Sequence, residues 1–120
     1  MTSVLFVDDD VLALQLMSKV MDLLGHRAIV SSSPGRGLAL AEHEQPGLIL
    51  VDMNMDEMDG IEFIRQLRCT PGTSHLPVLI FTAGNGCSDE RVAKEAGANG
   101  YIQKPVGLQE LSRIIQFYTI

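Results

Sequence analysis

The chain alternates strictly between two kinds of apolar pattern, and that alternation limits what it can fold into. Short unbroken apolar runs rich in β-branched residues occupy residues 4–7, 28–30, 48–51, 78–81 and 100–102, typified by Leu48-Ile49-Leu50-Val51. Runs of this kind without polar alternation are the mark of parallel strands buried on both faces. Between them lie stretches with helical spacing. Leu12, Leu16, Val20 and Leu23 set the stripe of the first helix, Asp10 is placed at its start and Gly25 caps its end. Ser33-Pro34 opens a second helix, and Asp59 with Glu62 forms a capping box ahead of Ile61, Ile64 and Leu67. Ser88-Asp89-Glu90 supplies a cap and two acids to a fourth helix that Gly97 ends, and Leu108, Leu111 and Ile115 stripe the fifth. Five strands alternating with five helices imply right-handed βαβ units and a doubly wound α/β three-layer sandwich. No linker or repeat interrupts the pattern, so residues 1–120 are expected to form one domain.

Composition narrows the function. With 120 residues the chain can bury a real core, and its 46% hydrophobic content excludes a disordered segment. The apolar runs are far shorter than the roughly 20 residues of a membrane span. Two cysteines, Cys69 and Cys87, make neither a metal motif nor a secreted disulfide framework, so a cytoplasmic protein with reduced thiols is expected. The net charge of -6 is localised: Asp8, Asp9 and Asp10 form one cluster, and Asp52, Asp56, Glu57 and Asp59 another. Without these seven, eight acids face nine bases. A nucleic-acid surface needs a basic stripe, and none is present.

Polar residues follow the strand runs at one common edge, the edge where open α/β sheets bind ligands. Asp8-Asp9-Asp10 follows the first run, Asp52 the third, Thr82 the fourth and Lys104-Pro105 the fifth. Carboxylates brought that close repel unless a cation or proton sits among them. Mg²⁺ suits such oxygen ligands, and it is commonly held by one or two carboxylates plus phosphate. Lys104 and Thr82 can donate to the remaining oxygens of a phosphoryl group, and an aspartate can be the nucleophile that receives it.

These residues resemble the bacterial response-regulator receiver family, in its chemotaxis-receiver-like form. The likeness rests on Val7-Asp8-Asp9, on Asp52-Met53-Asn54-Met55 with Met58-Asp59-Gly60, on Thr82-Ala83, on Ala96-Gly97-Ala98, on Tyr101 and on Lys104-Pro105. It covers nearly the whole chain and implies a flavodoxin-like sheet of strand order 2-1-3-4-5. The resemblance implies Asp52 as phosphoacceptor, with Mg²⁺ or Mn²⁺ held by Asp9 and Asp52, by the backbone carbonyl of Asn54, and by Asp8 mainly through water. It also implies Thr82 and Lys104 on the phosphoryl oxygens, the backbone at Asn54 and Ala83 nearby, Tyr101 as the rotating aromatic of an output face, and a cis bond at Lys104-Pro105. The partners implied are a sensor histidine kinase or histidine phosphotransfer protein, and a downstream protein or an output domain outside this chain. The chain would release its phosphoryl group slowly by self-catalysed hydrolysis and would not be a turnover enzyme. Three positions depart from the family's habit. Asp56, followed by Glu57, stands where Pro is common, Val106 where Phe is frequent, and Gly84 offers no side chain to guide the hydrolytic water.

Taken singly, Thr82 reads as a strand-end hydroxyl, Lys104 as a surface lysine and Tyr101 as packing; their joint placement with Asp52 is what favours the site. His26, His43 and His75 lack ligand spacing to the cysteines, Gly35-Arg36-Gly37 lacks the rest of a dinucleotide motif, and Met53, Met55 and Met58 read as loop packing. The rival function is a phosphohydrolase of the haloacid dehalogenase type, since Asp8-Asp9-Asp10 mimics its opening motif. The acidic pair expected after the lysine is missing, only Glu110 following it, and there is no room for a capping domain. A receiver-like binding module without phosphorylation would lack one of the acidic or lysine positions, all of which are present.

Overall fold

The structure, a computed structural model, describes residues 2–82, 87–104 and 106–119, with the backbone alone for 87–89. Strands β1 (Ser3–Val7), β2 (Arg27–Ser31), β3 (Leu48–Asp52), β4 (Val78–Thr82) and β5 (Gly100–Gln103) alternate with helices α1 (Val11–Leu24), α2 (Pro34–Glu44), α3 (Gly60–Cys69), α4 (Cys87–Ala96) and α5 (Leu108–Thr119). The strands pair in parallel in the order β2-β1-β3-β4-β5, the doubly wound flavodoxin-like arrangement expected. Every residue of β3 and β4 is buried, as unbroken apolar runs require, whereas the edge strand β2 exposes Arg27 and Val30.

Because strand side chains alternate, the sheet fills two separate cores. Leu5, Val7, Ile49, Val51 and Ile80 pack with Ala41 of α2, Phe63, Ile64 and Leu67 of α3, and Ala93 of α4. Val4, Phe6, Leu48, Leu50, Phe81 and Ile102 pack with Leu14 and Met21 of α1 and Leu111 and Ile115 of α5. Each fully buried side chain of this size is worth roughly 1.5–3 kcal/mol, so the two layers supply the main drive to fold.

Local chemistry sets the helix ends. Asp10 accepts from the N–H groups of Leu12 and Ala13, Ser33 from that of Arg36, and Asp59 from that of Glu62. Gly25 (φ 79) and Gly97 (φ 115) take the left-handed conformation that closes α1 and α4. The Arg68 guanidinium clamps neighbouring turns by donating to the carbonyls of Gly97, Ser74 and Leu76 and to Asn99 Oδ1.

Three sequence expectations need correction. Of the stripe expected on α1 only Val20 packs on the core: Leu12, Leu16 and Leu23 are 74%, 59% and 77% exposed, while Leu14 and Met21 are buried and Met17 and Leu24 pack beside them. The helix carries two apolar stripes, and spacing alone does not say which one meets the sheet. On α5, Leu108 is 46% exposed, and the buried stripe is Leu111 and Ile115. Helix α4 begins at Cys87, so Ser88 lies inside its first turn rather than ahead of it. Among the described residues, no helix is long and apolar enough to cross a membrane.

Candidate functional site

Three consecutive aspartates at the end of β1 go to three different tasks. Asp10 caps α1. Asp8 is buried; its Oδ1 accepts the Asp10 N–H at 2.9 Å, and its Oδ2 lies 3.1 Å from Lys104 Nζ. Asp9 is exposed and turns towards the β3–α3 loop, where its Oδ2 accepts the Asp56 N–H at 3.0 Å. Strand order explains how distant acids meet. β1 lies beside β3 with Val7 opposite Val51, so Asp8 and Asp9 end up next to Asp52. One ligand oxygen from each of Asp8, Asp9 and Asp52 can be chosen so that all lie within 4.8 Å of one another.

Lys104, just past β5, reaches across the end of β4. Its N–H donates to the Thr82 carbonyl at 2.7 Å, and its ammonium lies 3.0 Å from Asp52 Oδ1 and 5.1 Å from the centre of the Phe81 ring. Burial pushes the Asp52 carboxyl above its usual range; the Lys104 ammonium and the Asn54 N–H pull it back only in part, and Asp8 pushes it further up. Burial would lower Lys104, but its hydrogen bonds to Asp52 and Asp8 prevail and its pKa is raised. One ammonium among three carboxylates leaves surplus negative charge, and these oxygen donors fit a hard divalent cation.

The loop after Asp52 is closed at its base. Gly60 donates to the Met53 carbonyl at 2.8 Å, and a Cβ on Gly60 would stand 2.7 Å from the Asp52 carbonyl oxygen, so only glycine fits without displacement. Met53, Met55 and Met58 pack on the core, as the loop-packing reading expects, while Asn54, Asp56 and Glu57 face solvent. Asn54 contributes its N–H to Asp52.

Thr82 ends β4, fully buried, one strand from Asp52, and Tyr101 lies half-buried on β5 against the core beneath α4. Ala83, Gly84 and Pro105, with the cis bond expected at Lys104-Pro105, lie outside the described residues. Two features escaped the sequence reading. The Asp56 N–H has no signature of its own, because the departure from Pro draws the eye to a side chain. A cavity of about 250 Å³ opens beside the site, lined by Phe6, Ala13, Leu14, Met17, Phe81 and Val106, with Asp8, Asp52 and Lys104 at its rim. The smaller residue at 106 was its one visible sign.

Comparison with known proteins agrees with this geometry. The profile of the response regulator receiver domain matches residues 4–116. The chain is 37% identical over 111 residues to the KDP operon transcriptional regulatory protein KdpE of Escherichia coli K12, covering 92% of this chain and 48% of that protein, about half its length. Among solved structures it is similar to the chemotaxis protein CheY4 of Vibrio cholerae, with a TM-score of 0.91, 27% identity and 98% of each chain covered. It is also similar to the receiver domain of the sensor histidine kinase PA1611 of Pseudomonas aeruginosa, with a TM-score of 0.89, 25% identity, and 98% and 97% of the chains covered. That structure holds a magnesium ion in its active-site cleft.

Proposed function

The chain belongs to the response-regulator receiver family, and from that premise we propose that it accepts a phosphoryl group on Asp52 and acts as the receiver of a phosphorelay. The observation that carries this reading is the Asp52 carboxylate, buried at the end of β3, 3.0 Å from the Lys104 ammonium and grouped with Asp8 and Asp9. Asp9 and Asp52, with the Asn54 carbonyl and Asp8 through water, would hold Mg²⁺ or Mn²⁺. When bound, the ion neutralises charge on the phosphoryl oxygens.

A carboxylate oxygen of Asp52 attacks the phosphorus of a phosphohistidine. The P–N bond breaks, and the electron pair leaves with the imidazole of a sensor histidine kinase or histidine phosphotransfer protein. Lys104 exchanges part of its pairing with Asp52 for the new phosphoryl oxygens, and Thr82 donates to another. Water later attacks the same phosphorus, releasing inorganic phosphate and restoring the carboxylate. Each cycle consumes the chain's own phosphoryl group, so it is a switch and not a turnover enzyme. Drawing Thr82 inward leaves space for Tyr101, and the altered α4–β5–α5 surface meets a downstream protein or an output domain. Residues 1–120 form one receiver domain in this reading, working in the cytoplasm.

The test is mass spectrometry after incubation with acetyl phosphate and Mg²⁺. The parent protein should gain one phosphoryl group and Asp52→Asn none. Undiminished labelling of Asp52→Asn would move the nucleophile elsewhere, first to Asp8. Mg²⁺ titration should show weaker binding by Asp9→Ala, and equal affinity would count against the metal site.

A further inference from the structure

We infer that the main-chain N–H of Asp56 is a positioning donor for Asp9, holding that carboxylate in the orientation in which it takes a divalent cation. The inference rests on the metal-binding reading above and extends it to a residue outside the ligand set. Of the acids in the cluster, Asp8 is already fixed by the Asp10 N–H and by Lys104, and Asp52 by Lys104 and the Asn54 N–H. Asp9 is exposed, and among the described residues no second side-chain hydrogen bond holds it. Its hydrogen bond is the 3.0 Å contact to Asp56, 47 residues away in the chain.

The donor stands on a firm base. Met55 and Met58 bracket Asp56 and Glu57 and pack on the core, and the Gly60–Met53 hydrogen bond closes the loop below them. A hydrogen bond at Asp9 Oδ2 occupies one acceptor position and leaves Oδ1 and the second lone pair of Oδ2 for a cation. Restricting the carboxylate beforehand removes part of the ordering cost of binding. Residue type matters here for one reason: proline, alone among the residues, has no N–H to give. The Asp56 side chain is solvent-exposed, and its charge attracts a cation only through water and salt.

Two substitutions separate the N–H from the charge. Asp56→Ala removes the carboxylate and keeps the N–H, whereas Asp56→Pro removes both. In titrations with Mg²⁺ alone, Asp56→Ala should stay within about 3-fold of the parent. Asp56→Pro should bind about 10-fold more weakly than Asp56→Ala, the scale of one hydrogen bond to a charged group. Equal affinities in the two variants would overturn the inference. A second measurement needs neither metal nor proline. In the metal-free protein, the Asp56 amide should exchange with solvent about 10-fold faster in Asp9→Ala than in the parent. An unchanged rate would overturn the inference, since the hydrogen bond would then not hold in solution. Failure of the parent to bind Mg²⁺ would instead strike the proposed function, while amide exchange still decides whether Asp56 holds Asp9.

Discussion

Against one face of the sheet lie α2, α3 and α4, against the other α1 and α5, and the two layers are filled differently. On the three-helix side the fit is close. A Cβ on Gly37 would stand 2.9 Å from Val7 and 3.3 Å from Phe63. The other layer is as close at its β5 edge, where a Cβ on Gly100 would stand 2.8 Å from the Tyr118 hydroxyl and 2.9 Å from Leu79, so the difference lies at the end beside the candidate site. On the two-helix side a cavity of about 250 Å³ remains open, and Leu12, Leu16, Leu23 and Phe117 face solvent. The candidate site stands at the rim of the looser layer. The proposed phosphoacceptor would have to admit a partner's phosphohistidine and then rearrange, and an incompletely filled layer beside it can yield where a close-packed one would resist.

Matched deletions offer the most direct way to break this comparison. Leu67→Ala, fully buried in the close-packed layer, should cost about 4 kcal/mol in urea unfolding. Leu14→Ala, beside the open cavity, should cost about 2 kcal/mol, the low end for such a deletion, because one side of Leu14 already lacks neighbours. Equal costs would show that the two layers do not differ in tightness.

An opposite sign is expected when the cavity is filled. Val106→Phe should stabilise the protein by about 1 kcal/mol, seen as a higher Tm. A lower Tm would mean that the cavity cannot be entered from residue 106.

A smaller effect with a pH signature comes from the rim itself. The folded-state pKa of Asp52 is raised above the unfolded value of 3.8, chiefly by burial, with the Lys104 attraction already counted. The folded state therefore binds the proton more tightly, and ionising Asp52 costs stability as pH rises from about 3.8 through the raised value. Metal-free Asp52→Asn should thus be more stable than the parent at pH 7, with the gain vanishing below about pH 3.8. A gain that persists at low pH would assign it to packing instead of charge. Lys104 carries the opposite sense: its raised pKa contributes stability below 10.5 that is lost as pH climbs through the folded value.

Least of all should change on the outer stripe of α1. Leu12→Gln and Leu23→Gln are expected to shift stability by no more than about 0.5 kcal/mol in urea titration. A loss of 2 kcal/mol from either would show that these side chains are covered in solution.

What the sequence made legible follows from which physical signals are local. The strands were readable because a run such as Leu48-Ile49-Leu50-Val51 is buried whichever face it presents. The caps at Asp10, Ser33 and Asp59 were readable because capping is settled within three residues. The inner face of α1 was not, since Leu12 and Leu14 are equally apolar and only the sheet chooses between them. Strand order came from family resemblance and not from periodicity, and the approach of Lys104 to Asp8 depends on it. The Asp9–Asp56 hydrogen bond was illegible for another reason. Its donor is backbone, which every residue except proline supplies, so no letter marks it.

The span of 96 residues between Asp8 and Lys104 also bears on how the molecule is made. A ribosome delivers Asp8 first and its ammonium partner 96 residues later. Until the fifth strand docks, the assembled acids are without the Lys104 counter-charge, and every incomplete chain carries that repulsion at the middle of its sheet. Docking of the fifth strand and neutralisation of the most charged region are one event. A product cut short before Lys104 therefore lacks both a strand and its electrical balance, a double handicap that marks it as unfinished.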